Sequence, residues 1–84
     1  MSEFHENFPM ELGLQYPVSL EDEQKHYNYK THKITLVRRQ LQPLEIGNII
    51  KLHFASNNQL YRARILDIRP TQDKANHEFD FELI

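Results

Sequence analysis

The 84-residue chain is the length of a single domain and contains no cysteine, which excludes a disulfide framework and thiolate chemistry. Its formal net charge of −2 is unevenly distributed: residues 1–24 carry six acidic side chains and no lysine or arginine, residues 25–74 carry ten basic against three acidic ones, and residues 75–84 carry three more acids. Because the start is acidic and no apolar run reaches the length of a membrane span, we expect a soluble cytoplasmic protein without membrane insertion.

The first quarter of the chain predicts an arm followed by a strand. Residues 1–13 mix aromatic and acidic side chains without a sustained period, so we expect an acidic flexible arm before a folded domain at residues 14–84. The apolar side chains of residues 14–20 share one parity, as in a strand, and Pro17 favours an edge or a strand start. The charged residues 21–25 predict a turn or a single helical turn, because too few apolar residues follow at helical spacing.

Residues 26–39 predict a second strand with aromatic side chains near its start. Tyr27 and Tyr29 share one parity, and Ile34 and Leu36 share the other, so an unbroken strand would expose both tyrosines. The two rings then either close the end of the fold or stack on a base or a peptide side chain.

The centre of the chain predicts a hairpin around which the remaining strands assemble. Residues 48–54 alternate apolar and polar side chains, Ser56-Asn57-Asn58 is a cluster of turn formers, and residues 60–69 form the returning strand. Within the returning strand the apolar parity shifts by one residue at Leu66, which predicts a bulge that curves the sheet.

The last residues predict a closing strand, because Phe79, Phe81 and Leu83 alternate with acidic side chains. Together these elements predict an all-β fold, a small antiparallel barrel of five to six strands. A chain this short supports one small core and no deep catalytic cleft, so shallow surface binding is expected. The predicted core consists of Val18, Leu20, Ile34, Leu36, Leu44, Ile46, Ile50, Leu52, Phe54, Tyr61, Ala63, Ile65, Ile68, Phe79, Phe81 and Leu83.

Motifs for catalysis and metal binding are missing from the sequence. The two glycines, Gly13 and Gly47, are too far apart for a phosphate-binding loop, and no serine stands in a nucleophile context. The five histidines lack a ligand spacing, and the acids at 78, 80 and 82 lie on one exposed strand face. We therefore predict that the protein is not an enzyme and has no catalytic residue, cofactor or metal.

Arginines provide the candidate binding surface. Arg38 and Arg39 end the second strand, and Arg62 and Arg64 lie on one side of the fourth. Guanidinium groups on a rigid strand suit phosphate or carboxylate ligands, although Arg62 and Arg64 can instead pair with the acids at 78–82. The predicted ligand- or partner-binding residues are Arg38, Arg39, Arg62, Arg64, Tyr27 and Tyr29.

Five elements between residues 34 and 83 follow an order known from one family. They are the strand Ile34–Val37, the turn Pro43-Leu44-Glu45-Ile46-Gly47, the apolar strand Ile49–Phe54, the aromatic-x-Ala-x-Ile strand Tyr61–Ile68 and the closing strand Phe79–Leu83. In this order the chain resembles the bacterial PilZ domain family, with residues 14–20 as the first strand. The resemblance covers residues 14–84 and implies a small β-barrel.

The usual ligand of that family is cyclic di-GMP, which an Arg-x-x-x-Arg arm and an Asp/Asn-x-Ser-x-x-Gly turn hold. Neither motif is present, since no arginine precedes Arg38 and residues 28–33 read Asn-Tyr-Lys-Thr-His-Lys. The resemblance therefore implies an atypical PilZ domain without the cyclic di-GMP motifs. Such a member is a non-catalytic adaptor that contacts a protein partner in bacterial signalling or surface machinery.

Two alternative functions stay open. One is binding of cyclic di-GMP or a nucleic acid through the four arginines, with the tyrosines stacking on bases. The other follows from a weaker resemblance to Tudor and other SH3-like barrels, carried by Ile46-Gly47, Phe54 and Tyr61–Ile65, which implies a peptide binder. The sequence does not decide between a monomer and a homodimer.

Overall fold

Six strands and one short helix make up residues 11–84, the part of the chain that the computed structural model describes. In chain order the elements are β1 (Glu11–Val18), α1 (Leu20–His26), β2 (Tyr27–Asn28), β3 (Lys33–Arg39), β4 (Ile49–Phe54), β5 (Gln59–Pro70) and β6 (Asn76–Leu83). The fold is thus all-β apart from α1, as the alternating patterns predict. Residues 1–10 of the expected arm lie outside the described residues, and β1 begins three residues before the strand start expected at residue 14.

The strands form one mixed sheet in the order β1-β4-β5-β6-β3-β2. All neighbours are antiparallel except β1, which runs parallel to β4. The predicted antiparallel arrangement is therefore wrong at this pair. A tight turn fixes the direction of a hairpin strand, whereas α1, β2 and β3 all lie between β1 and β4 and permit a parallel pairing.

The predicted barrel is not confirmed, because the described sheet is open. Its edge strands β1 and β2 share no backbone ladder. Because β2 has only two residues, most of β3 is left without a neighbour on that side and faces β1. We call this gap between β1 and β3 the seam. Side chains cross it: the Tyr16 hydroxyl donates to the carbonyl of Arg39 at 2.8 Å, and Arg38 Nη2 donates to the carbonyl of Pro17 at 2.7 Å.

A bulge in β5 curves the sheet. The pairing of β5 with β6 shifts between Ile65 and Asp67, which confirms the bulge that the parity shift predicts. Ile65 is buried before the bulge, and Ile68 packs against the core after it. The extra residue also turns Arg69 to the outer face, where it pairs with Asp67, Glu78 and Asp80.

The core follows the predicted set with few exceptions. Eleven of the predicted side chains are buried, and Tyr61, Ile68 and Leu83 are partly buried against them. Leu20 and Ile46 are 57% and 63% exposed, so their assignment to the core is wrong. Leu20 starts α1, none of whose residues is buried, and Ile46 lies in the turn before Gly47. Tyr16 and Ile49 are buried although they were not predicted to be.

Residues 20–26 form a seven-residue helix, so the expectation of no more than one helical turn is wrong. The Ser19 hydroxyl accepts the backbone N–H of Asp22 at 3.0 Å, and the Asp22 carboxylate accepts the backbone N–H of Ser19 at 3.3 Å. This capping box and the Glu21–Lys25 ion pair at 2.7 Å stabilise α1 without an apolar face. No helix in residues 11–84 has the length and apolar character needed to cross a bilayer.

The predicted second strand is interrupted by a turn, which reverses the expected orientation of Tyr27. The Asn28 side-chain oxygen accepts the backbone N–H groups of Lys30 and Thr31, and His32 adopts a positive φ of 59°. The chain therefore folds back and β2 pairs with β3, with Tyr27 opposite Ile34. Directly opposed residues share a face of a sheet, so Tyr27 lies on the buried side instead of the exposed one.

Candidate functional site

A cleft of about 500 Å³ opens at the end of the sheet where β2, β4, β5 and β6 meet α1. We call it the aromatic cleft, because four phenylalanine and tyrosine rings line it together with a carboxylate and two aliphatic side chains. These residues are Glu23, Tyr27, Tyr29, Phe54, Tyr61, Leu83 and Ile84, and the polar side chains of His32, Ser56 and Asn57 complete the lining.

Pairing and turn geometry bring the four rings together from separate segments. Phe54 ends β4 on the buried face and is 3% exposed, so it forms the floor of the cleft. Tyr61 on β5 lies opposite the buried Leu52, which turns its ring toward the same face. Tyr27 comes from β2, and Tyr29 follows in the turn with 65% of its surface exposed.

The rings meet edge to face, the arrangement that aromatic quadrupoles favour. Phe54 lies 5.7 Å from Tyr27 and 5.2 Å from Tyr61, with interplanar angles of 74° and 80°. Tyr29 contacts Tyr27 at 4.6 Å and 74°. Since the rings do not stack flat on one another, ring surface is left for a bound group.

Each tyrosine hydroxyl in the aromatic cleft has a polar neighbour. Asn57 Nδ2 donates to the Tyr61 hydroxyl at 2.7 Å, and Tyr29 donates to Glu23 Oε2. The Tyr27 hydroxyl lies 3.2 Å from His32 Nδ1. These bonds fix the orientation of the rings, so the cleft exists without a ligand.

Glu23 places a negative charge beside the rings. Its Oε2 accepts the hydrogen bond from Tyr29, while its Oε1 is buried and has no hydrogen-bond partner among the described residues. The hydrogen bond to Glu23 raises the pKa of Tyr29, and burial followed by the Glu23 charge raises the pKa of Tyr27. Both phenols therefore stay protonated and neutral well above physiological pH, and the carboxylate is the charge that a ligand meets.

Arg38 is occupied inside the seam. It belongs to the inward-facing series of β3, and its Nη2 donates to Asp22 and to the carbonyl of Pro17, each at 2.7 Å. Its side chain is only 22% exposed. Arg39, the next residue, points to the opposite side of the strand and is exposed.

Arg62 and Arg64 share the outer face of β5, as their spacing predicts. Arg62 makes a two-pronged hydrogen bond to Glu11 of β1, with both N–O distances at 3.1 Å. Arg64 lies opposite Glu82 in the β5–β6 pairing, without an ion pair in the described part of the chain. Among these strands it is Arg69, not Arg62 or Arg64, that pairs with acids of β6.

The structure does not bring the four predicted arginines onto one surface. Arg38 lies opposite His77, whose other neighbour is Pro70 at the end of β5, whereas Arg64 lies opposite Glu82 near the other end of the same ladder. Almost the full length of β6 therefore separates the two arginine pairs. By contrast, Tyr27 and Tyr29 lie together in the aromatic cleft.

Sequence reasoning missed three members of the site. Phe54 and Tyr61 were assigned to the core from their parity, which is correct for their orientation but does not indicate that they also line a cleft. Glu23 carried no signal, because residues 21–25 were expected to form no more than a turn or a single helical turn. Among residues 11–84, no three His, Asp or Glu side chains are gathered so that they can hold a metal ion.

The aromatic cleft supplies the chemistry of binding: ring surface, fixed hydroxyls and one carboxylate. Its lining residues come from α1, β2, β4, β5, β6 and the turns beside them, so the cleft depends on the complete fold. No protein-family model, no curated protein and no solved structure matches the chain.

Proposed function

We propose that the chain is a non-catalytic binding module, an adaptor that holds a segment of a protein partner in the aromatic cleft. The observation that carries this proposal is the gathering of four rings in one concave site: Tyr27, Tyr29, Phe54 and Tyr61. Concave apolar surfaces with a few polar groups are typical ligand sites, and aromatic side chains dominate the binding energy of protein interfaces.

The charge of the cleft favours a peptide over a nucleotide. Glu23 lines the cleft, and His32 is the one basic side chain among its lining residues within 11–84. A phosphate group would therefore meet a carboxylate without a lysine or arginine to compensate it, which is unfavourable in a partly desolvated site. A neutral or basic peptide segment places no such charge against Glu23.

The arginines offer less to a nucleotide or a nucleic acid than their sequence spacing indicates. Arg38 and Arg62 are engaged by Asp22 and Glu11, and a phosphate ligand would have to displace these carboxylates. Arg39 and Arg64 belong to opposite ends of the β6 ladder, too far apart for two guanidinium groups to converge on one phosphate.

The proposal includes the protein contacts that the PilZ and SH3-like resemblances imply. An atypical PilZ domain, or an SH3-like peptide binder, would use protein contacts instead of cyclic di-GMP, and the aromatic cleft is the surface at which we place such a contact. The proposed setting is the cytoplasm of a bacterium, in signalling or surface machinery. The open sheet with side chains across its seam is compatible with a barrel of either kind.

Selection of a displayed random-peptide library on the full chain tests the proposal. We expect enrichment of related peptides whose affinity falls by at least about tenfold in Tyr61→Ala. Leu60→Ala is the matched control, because Leu60 is the adjacent residue of β5, is 49% exposed and lies outside the aromatic cleft. Tyr29→Ala, which removes a 65% exposed ring, provides a second cleft variant if Tyr61→Ala does not fold. The proposal would be overturned if no peptides were enriched, or if the enriched peptides bound the cleft variant as tightly as the Leu60→Ala control.

A further inference from the structure

The aromatic cleft contains an acceptor without a donor. Glu23 Oε1 is shielded from solvent and receives no hydrogen bond from residues 11–84, whereas Oε2 of the same carboxylate is bound by Tyr29. A buried carboxylate oxygen without a partner is costly, so its presence in a folded protein has a cause, and a bound group that donates to it is one such cause. The missing component is a group that carries an N–H donor.

The surroundings of this oxygen select a positively charged donor. Ring faces attract cations, and the four rings beside Glu23 form one continuous series of contacts from Tyr29 through Tyr27 and Phe54 to Tyr61. The cleft lining contains no lysine or arginine of the described chain, and its one basic side chain, His32, lies with its Nδ1 3.2 Å from the Tyr27 hydroxyl. Charge and hydrogen bonding therefore favour the same ligand group.

We propose that the aromatic cleft binds a side-chain cation with N–H donors, a lysine ammonium or an arginine guanidinium of the partner, with Glu23 as its counter-charge. This inference rests on the proposed function, since it names the partner group that the same cleft holds. The rings enclose the aliphatic stem of the side chain, and the charged end donates to Glu23 Oε1. A quaternary ammonium satisfies the rings but leaves Oε1 without a donor, so it binds more weakly.

The Tyr29 hydroxyl occupies one oxygen of the carboxylate. Its ring is 65% exposed, and the contacts that hold it are this bond to Glu23 and the edge-to-face contact with Tyr27. An entering cation competes with the Tyr29 hydroxyl for the carboxylate. Removing that hydroxyl while keeping the ring therefore frees the second oxygen for the ligand.

NMR titration of the full chain with four capped amino acids tests the inference: N-acetyl amides of lysine, arginine, trimethyl-lysine and acetyl-lysine. We expect shifts of the Tyr27, Phe54 and Tyr61 resonances with lysine or arginine, and affinity at least about fivefold weaker with trimethyl-lysine. Acetyl-lysine, which is neutral, should cause no saturable shift. The comparison of lysine with arginine identifies which of the two cations the cleft prefers.

Two carboxylate variants of α1 separate a local contact from a general charge effect. Glu23→Gln should weaken lysine or arginine binding by at least about tenfold. Glu21→Gln removes the same charge from the same helix at a side chain that is 70% exposed and outside the cleft, so binding should be unchanged. Tyr29→Phe should bind the cation at least as tightly as the unaltered chain.

The outcomes distinguish this inference from the proposed function. If library peptides bind the cleft but Glu23→Gln binds as well as Glu21→Gln, the cation is wrong and the binding module stands. Equal affinity for lysine and trimethyl-lysine would overturn the requirement for an N–H donor. If neither library peptides nor capped amino acids shift the cleft resonances, the proposed function itself is wrong.

Discussion

Arg38 donates a hydrogen bond to the carbonyl of Pro17 across the seam, at a place where no backbone ladder joins β3 to β1. The same guanidinium group reaches Asp22 of α1 at 2.7 Å. A residue that the sequence assigned to a binding surface thus connects three elements of the fold. Because the bond involves an edge carbonyl of β1, it also occupies part of the exposed edge of the sheet.

Arg38→Ala should destabilise the fold by about 1.5–3 kcal/mol, since it removes charge-assisted hydrogen bonds to Pro17 and Asp22 at a largely buried position. Arg39→Ala, at the exposed neighbouring position, should change the free energy of unfolding by no more than about 0.5 kcal/mol. Urea unfolding of both variants measures the difference. Equal effects would show that the seam bond contributes nothing.

Ser19→Ala should cost about 1 kcal/mol, because it removes the hydroxyl that caps α1. Ser56→Ala, a change of the same atoms in an exposed turn, should be close to neutral. Thermal unfolding followed by circular dichroism distinguishes the two. A smaller loss in Ser19→Ala than in Ser56→Ala would contradict the capping role.

Gly47→Ala should destabilise by about 1 kcal/mol or more. Gly47 has a φ of +97°, which side-chain-bearing residues rarely adopt, although no atom lies within 4 Å of the added methyl group. The cost is therefore one of backbone conformation. Gly13→Ala is the matched control in β1: it also meets no atom within 4 Å and has no positive φ, so it should be neutral or slightly stabilising. Similar midpoints in urea for the two variants would contradict this account.

Stability should fall on acidification, and Asp80 should contribute to the fall. The hydrogen bonds from Arg69 lower the pKa of Asp80 below its ordinary value, with a smaller contribution from Thr35 and against an opposing effect of burial. At pH values between the lowered pKa of Asp80 and its ordinary value, the unfolded chain therefore binds more protons than the native protein. The contribution is full above the ordinary carboxylate pKa and is lost as the pH falls through the lowered value.

Urea midpoints between about pH 6 and about pH 3 measure this contribution. Asp80→Asn should flatten the dependence on pH, whereas Glu45→Gln, which alters an exposed side chain without an ion pair in residues 11–84, should leave it intact. An unchanged slope in Asp80→Asn would show that the Arg69 contacts do not act through this carboxylate.

The strands were predictable because a half-buried strand has a period of two, and a departure from that period has a structural cause. The parity shift at Leu66 therefore located the bulge, and the alternation in residues 48–54 and 78–84 located β4 and β6. Each of these signals is contained within one strand. The parallel pairing of β1 with β4 could not be predicted in this way, since nothing within either strand indicates its partner.

The helix and the cleft were missed for related reasons. α1 depends on the Ser19 cap and on charge pairs instead of apolar spacing, so a search for an apolar stripe does not find it. The turn after Asn28 placed Tyr27 opposite Ile34 and reversed the parity argument. Since Glu23 and Tyr27 join Phe54 and Tyr61 only through these two elements, the cleft could not be assembled from strand periodicity.

Asp22 and Glu23 are consecutive residues of a helix that buries none of its own side chains, yet one holds the seam through Arg38 and the other faces the aromatic cleft. The seam and the aromatic cleft therefore both depend on the position of α1. Thermodynamic linkage is reciprocal, so whatever effect a ligand at Glu23 has on the stability of the seam equals the effect of an intact seam on the binding of that ligand.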